Sequence, residues 1–234
     1  MNNGLSDEIE KQLHKEVARE VERNMKTTFA PEIIPFHALP IYKESTDFEL
    51  NDVEKTEILL GGEFRKALSD KGNALSKSAE ILESEKLLRV KNFILSKFDN
   101  FITNHLQIKN QFCLTQSWSA VNHKGDAHHL HLHPNTVFSC VYYAQAKSGD
   151  FQIKMPMSRI QDGYNFSYKI LQNNIFNSRT YNASVKTGDI LIFPGWLEHQ
   201  ALPNEDDAPR IIIGTNYFVK GILGDYDNKD QIEI

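Results

Sequence analysis

Four of the chain's nine histidines fall within six residues, His128-His129-Leu130-His131-Leu132-His133. A neutral imidazole offers one ring nitrogen to a divalent transition metal, so such crowding points to metal ligation when the backbone puts the rings on one side. In an extended strand alternate side chains share a face, which predicts His129, His131 and His133 pointing one way and His128 the other. Two H-x-H pairs therefore compete, His129 with His131 and His131 with His133. Pro134 ends regular strand pairing directly after the second pair and favours it. A third imidazole stands far downstream. Gly188 permits a tight turn, Asp189 to Phe193 reads as a strand, Pro194-Gly195 turns again, and His199 follows. The 65 residues between His133 and His199 leave room for several strands, so the distal ring can return beside the pair. Exposed loop histidines are the plain reading of an isolated H-x-H; the distal histidine is what argues for a three-ligand site with coordination positions left open.

Arg210 stands eleven residues after His199, at the start of the apolar run Ile211-Ile212-Ile213. An arginine at a strand end ordinarily reaches solvent. If it points inward, an uncompensated guanidinium is costly, and a bidentate carboxylate partner relieves the cost.

The elements that must position these residues follow from periodicity. Residues 5 to 28 read as a helix, with Ser6 able to cap and Asp7 and Glu8 at the positive end. Its apolar residues recur every four positions from Leu5 to Met25, so the stripe winds around the helix and suits an arm lying across its own domain or forming a homo-oligomer contact. Pro31 to Tyr42 reads as an extended segment or edge strand. Leu87, Val90, Ile94, Phe98, Phe101 and Leu106 keep a helical spacing with one apolar face, as for a helix against a sheet. From Phe112 the period becomes two, and strand-like runs follow at Thr136–Ala144, Asp150–Met155, Tyr164–Ile170, Thr180–Lys186, Asp189–Phe193 and Arg210–Val219, separated by turn residues. Helices first and short strands afterwards predict an α+β chain with a double-stranded β-helix (jelly-roll, cupin-like) core and N-terminal helices packed on the sheet. The expected division is an arm over 1–30, one domain over 31–222, and a polar tail over 223–234.

Composition narrows the function classes. With 40% apolar and 24% charged residues the chain suits a well-cored domain, and 26 basic against 31 acidic residues give a net charge of -5. No basic cluster suits a phosphate-tracking surface, so nucleic acid is not an expected partner. No secretory leader or membrane-spanning run is legible, which gives a cytoplasmic expectation and no membrane partner. Cys113 and Cys140 are not spaced as a thiolate site and read as buried reduced thiols. His14, His37 and His105 are isolated and read as surface or core residues. Trp118, Tyr142, Tyr143 and Trp196 are pocket candidates for which core packing is the plainer reading.

These residues carry a family resemblance. Gly125 to His131-x-His133 resembles the opening of the first cupin motif, G-x5-H-x-H, and Gly188 to His199 resembles the second, G-x5-P-x-G-x2-H. The order H-x-H, distal His, then Arg resembles the 2-oxoglutarate/Fe(II)-dependent oxygenases. Gln116-Ser117-Trp118, Asn122 to Asp126, His131 to Asn135 and Tyr142-Tyr143 resemble in particular a compact group from marine bacteria and their phages. Prolyl 4-hydroxylases are also similar, with Asn122-His123-Lys124-Gly125 where they carry Tyr-x-x-Gly. The resemblance spans roughly residues 34 to 219. It implies Fe(II) held by His131, His133 and His199, 2-oxoglutarate held through its distal carboxylate by Arg210 with Asn122 a further contact, molecular oxygen as co-reactant, and hydroxylation of a small-molecule or peptide substrate. Most of the superfamily carries Asp or Glu where this chain has His133, which leaves two alternatives open. One is a three-histidine cupin dioxygenase needing no co-substrate. The other is a cupin-like metal-binding module without turnover.

Overall fold

The computed structural model describes residues 39–60, 63–66, 72–147, 150–154, 169–174, 177–224, 226–227 and 229–234, together with 12, 15, 16 and 19. The chain divides into two units, Met1–Leu39 and Pro40–Ile234. In the first, residues 12, 15, 16 and 19 are helical and exposed; the rest of the expected arm, and with it any oligomer contact, lies outside the described residues.

The second unit is built from antiparallel strands. A seven-stranded sheet contains β1 (Tyr42–Ser45), β2 (Phe64–Lys66), β3 (Ala74–Ser76), β4 (Gln111–Asn122), β6 (Phe138–Gln145), β9 (Asp189–Pro194) and β11 (Arg210–Lys220), in the order β1-β9-β6-β11-β4-β3-β2. A four-stranded sheet follows the order β5-β10-β7-β8, with β5 His128–His131, β7 Asp150–Lys154, β8 Thr180–Ser184 and β10 His199–Ala201. Phe151 of β7 and Phe193 of β9 meet at a 5.0 Å ring separation between the sheets. This is a jelly-roll core. Two further strands, β12 (Ile222–Leu223) and β13 (Ile232–Glu233), pair within the C-terminal segment. Of the expected strand at 164–170, residues 164–168 lie outside the described residues, and residues 169–170 are not in a strand.

Strand alternation assigns each face of the large sheet a task. Ile190 and Ile192 of β9, Cys140 and Tyr142 of β6, and Ile213 and Tyr217 of β11 are buried in one cluster with Val90, Ile94 and Phe98 of helix α2 (Leu88–Asn100). Phe98 stacks on Tyr217 with ring centroids 3.6 Å apart. Residues of the other parity, among them Trp118 and Asn122 of β4 and Arg210 and Ile212 of β11, line a cleft between the sheets. Tyr142 therefore belongs to the helix-side core, where its hydroxyl donates to the Phe48 carbonyl at 2.6 Å. Tyr143, its neighbour, lines the cleft.

A short helix precedes α2. In α1 (Asp52–Leu60) the Asn51 side chain accepts from the Glu54 N–H at 2.9 Å, and the Glu54 carboxylate accepts from the Asn51 N–H at 2.8 Å. Two donors that the first helical turn leaves unpaired are satisfied reciprocally. Arg89 of α2 closes on the same carboxylate, its Nε donating to Oε1 at 2.8 Å.

Candidate active site

Antiparallel pairing of β5 with β10 sets His131 directly opposite His199. The turn before β10 then delivers His133: its N–H donates to the Gly195 carbonyl at 2.8 Å, just past the end of β5. Upstream, Gly188 has φ +87°, and a β-carbon there would fall 2.2 Å from the Thr46 carbonyl oxygen, so only glycine fits. The result is a cluster in which His131, His133 and His199 each offer a ring nitrogen within 4.8 Å of the others. The Nε2 atoms of His133 and His199 are 3.2 Å apart.

Burial keeps these rings neutral. His199, only 3% exposed, is driven down to about 2 by burial and then by neighbouring His131. His133 is pushed to about 4 by burial and His131, and His131 is itself lowered by burial. Each therefore keeps a lone pair at neutral pH. The tautomers of two are fixed by carbonyl groups, which can only accept. His199 Nδ1 lies 2.8 Å from the Leu197 carbonyl and His131 Nδ1 lies 2.7 Å from the His129 carbonyl, so Nδ1 carries the proton and Nε2 is free to ligate.

His133 is held differently, by a residue that no local motif singles out. Asn216 is buried on β11; its Nδ2 donates to Gln116 Oε1 at 2.8 Å and its Oδ1 accepts from Ser139 Oγ at 2.8 Å. The same amide stands 3.2 Å from His133 Nδ1. Trp118 stacks on the other part of the ring, with centroids 5.4 Å apart.

The same cleft contains Arg210, which is 2% exposed. Its Nη2 donates to the Leu202 carbonyl at 2.8 Å. Among the described residues no carboxylate pairs with it. Burial pulls its pKa below the ordinary guanidinium value, with Tyr143 countering. Directly opposite on β4 is Asn122, whose Nδ2 is buried without a hydrogen-bond partner. A buried cation and an unpartnered N–H donor lining one cleft are groups whose burial cost a carboxylate would relieve.

The expected strand faces of the histidines are not those observed, and β5 ends at His131, before His133 and Pro134. His128, not His129, lines the cleft beside His131, while His129 is exposed. The cause is a bulge: His199 pairs with His131 and Ala201 with His128, so three residue steps on β5 oppose two on β10. The extra residue reverses the parity of everything before it. Trp118 and Tyr143 line the cleft, whereas Trp196 is half-exposed and outside its lining.

Residues 116–216 match the model of a family described as "Putative 2OG-Fe(II) oxygenase". That segment is less than half of the chain, and over it the chain is similar to the 2OG-Fe(II) oxygenases. The chain also resembles solved structures at the level of fold. One is the non-haem α-ketoglutarate-dependent epimerase SnoN from nogalamycin biosynthesis, with TM-score 0.55, 11% identity, and coverage of 77% of this chain and 78% of that one. Another is a 2OG-Fe(II) oxygenase family oxidoreductase from Burkholderia pseudomallei, with TM-score 0.53, 10% identity and coverage of 76% and 84%. A third is HygX from Streptomyces hygroscopicus, solved with nickel, 2-oxoglutarate and hygromycin B, with TM-score 0.52, 11% identity and coverage of 76% and 82%. No curated protein matches the chain. Members of that family depend on Fe(II) and 2-oxoglutarate, and this chain has donors suited to both: three neutral imidazoles for a metal, and Arg210 with the unpartnered Asn122 amide for a carboxylate. No helix among the described residues is long and apolar enough to cross a membrane.

Proposed function

We propose that this chain is an Fe(II)- and 2-oxoglutarate-dependent oxygenase that hydroxylates a C–H bond of a small-molecule or peptide substrate, with 2-oxoglutarate converted to succinate and carbon dioxide. The observation that carries this reading is the buried guanidinium of Arg210, paired with no carboxylate among the described residues, in the cleft that gathers His131, His133 and His199. When bound, Fe(II) and 2-oxoglutarate supply the oxidising chemistry: one atom of O2 enters the substrate as hydroxyl and the other enters succinate.

In this reading His131, His133 and His199 hold the metal through Nε2. The carbonyls of Leu197 and His129 orient two of the rings by accepting their Nδ1 protons. Asn216 supports the third from 3.2 Å at His133 Nδ1; for Nε2 to ligate, the two ends of the carboxamide must exchange, and the Gln116 and Ser139 side chains must exchange donor and acceptor roles with them. Arg210 binds the distal carboxylate of 2-oxoglutarate, and Asn122 contributes its unpaired N–H. All three metal ligands are neutral, so the ion keeps its double positive charge. That charge, added to Arg210, favours a dianionic co-substrate over a neutral one. Phe151 and Phe193 close the apolar wall against His199, with ring separations of 5.2 and 4.6 Å, and limit water there.

The all-histidine ligand set also suits a three-histidine cupin dioxygenase that uses no co-substrate, but that alternative gives Arg210 nothing to bind. The deciding experiment is anaerobic reconstitution with Fe(II) followed by 2-oxoglutarate. The expected result is a visible metal-to-ligand charge-transfer band, with oxygen consumption and succinate formation dependent on 2-oxoglutarate. Oxygen consumption indifferent to 2-oxoglutarate would favour the cupin reading, and tightly held zinc without oxygen reactivity would favour a non-catalytic module.

A further inference from the structure

The histidine strand carries a second set of three imidazoles that the proposed reaction does not use. His128, His129 and His131 also offer ring nitrogens within 4.8 Å of one another. The ring of His128 stacks on that of His131 at 4.2 Å, and the ring of His129 lies 5.1 Å from His128 and 5.3 Å from His131. The bulge in β5 creates this set, because regular alternation would turn His128 away from His131.

The two sets share His131, whose Nδ1 is already engaged by the His129 carbonyl. Only its Nε2 is left for an ion, so the sets cannot be filled together through it. They also differ in access: His129 is exposed, whereas His199 is buried. An ion arriving from solvent meets an exposed imidazole on the first set and a buried one on the second. Asn73, 3.3 Å from His128 Nδ1, can meet that nitrogen with its carbonyl end and leave His128 Nε2 with its lone pair.

We propose that His128, His129 and His131 form an outer capture site for divalent transition metals, from which the ion passes to the His131, His133, His199 triad through the shared His131. This rests on the inner triad being the metal site. Imidazole suits Fe(II), Co(II), Ni(II) and Zn(II) alike, so the outer set collects the ion and the inner set retains it. A preliminary encounter raises the effective concentration of metal at the inner ligands without adding a permanent ligand.

The test uses the metal-stripped full chain and Co(II), followed by its visible absorption. In the His133→Ala/His199→Ala double variant, one Co(II) should still bind, weakly, and adding His129→Ala should abolish that binding. The single His129→Ala variant should keep the wild-type Co(II) affinity but load at least about tenfold more slowly in stopped-flow mixing. A double variant that is folded by circular dichroism yet binds no Co(II), or a His129→Ala variant that loads at the wild-type rate, overturns the capture site. Undiminished Co(II) affinity in His199→Ala would overturn the inner triad and the relay with it, and it is recognisable separately because the outer set is intact in that variant.

Discussion

Trp118 occupies the space that a side chain on Gly214 would need: a β-carbon at Gly214 would fall 2.3 Å from Trp118 Cζ2, and the two residues are directly paired across β4 and β11. The indole reaches from that gap to stack on His133. A glycine on one strand therefore makes room for the aromatic ring on its partner strand that supports a proposed metal ligand just past the end of β5.

Gly214→Ala should accordingly disturb the site as well as the fold. Overpacking of this kind costs about 1–3 kcal/mol, and the displaced indole should weaken Co(II) or Ni(II) binding by about 10- to 100-fold, as for other outer supports of ligands. Calorimetric metal titration and thermal melts would measure both. Gly214→Ala combined with Trp118→Phe should recover part of the lost stability; if the double variant were no more stable than Gly214→Ala, the steric account would be wrong.

Arg210 makes opposite predictions for the free and loaded protein. Arg210→Met removes a buried cation that no carboxylate among the described residues pairs, so the ligand-free chain should melt at the same temperature or higher. The variant should still bind metal, but its 2-oxoglutarate affinity should fall by about 2–5 kcal/mol, as expected for truncating one side of a buried charge pair. Equal 2-oxoglutarate affinity in variant and wild type, by titration of the charge-transfer band, would remove Arg210 from the co-substrate site.

The Asn216 amide should act through the protonation pattern of His133. Asn216→Asp offers only acceptors to Nδ1 and should retain metal binding, whereas Asn216→Leu should lose about 10- to 100-fold in affinity. Nitrogen-15 NMR of the metal-free variants reads the tautomer of His133 directly. Identical tautomer populations in wild type and both variants would assign Asn216 to packing alone.

Stability on the acid side should depend on Glu54. Burial alone would raise its carboxyl pKa, but the hydrogen bond from Arg89, followed by the Asn51 backbone N–H, outweighs burial and holds it below the ordinary value. A folded-state pKa below the unfolded one means that the contribution is present above the unfolded value, about 4.3, and is lost as pH falls through the folded one. Glu54→Gln should cost about 1.5–3 kcal/mol near neutrality, the worth of hydrogen bonds to a charged group, and should flatten the acid-side fall in stability. Denaturant melts across the acid range would show a parallel fall in wild type and variant if Glu54 were not responsible.

His131 and His199 should be indispensable to metal retention. Replacing either with alanine removes one of three ligands, and metal content measured after gel filtration should drop from near one equivalent to a small residue. Retention of tightly bound metal by His199→Ala would separate that residue from the centre.

Much of this protein is written in local sequence. The Gly188 turn, the strand through Phe193 and the return at His199 are short-range signals, because turn chemistry and strand parity act over a few residues; the strand end is not one of them, since β5 stops at His131 rather than at Pro134. The α2 stripe of Val90, Ile94 and Phe98 was legible for the same reason: a helical period states which face is apolar. Tertiary structure alone decided what required a partner strand. The β5 bulge that brings His128 to His131 exists only in register with β10, and the neighbours Asn122 and Arg210 meet only because β4 pairs with β11. Asn216 and Ser139, far apart along the chain, join through the same kind of pairing. Periodicity specifies a side chain's face, but register and bulges are set by hydrogen bonding between distant segments, and no local spacing encodes them.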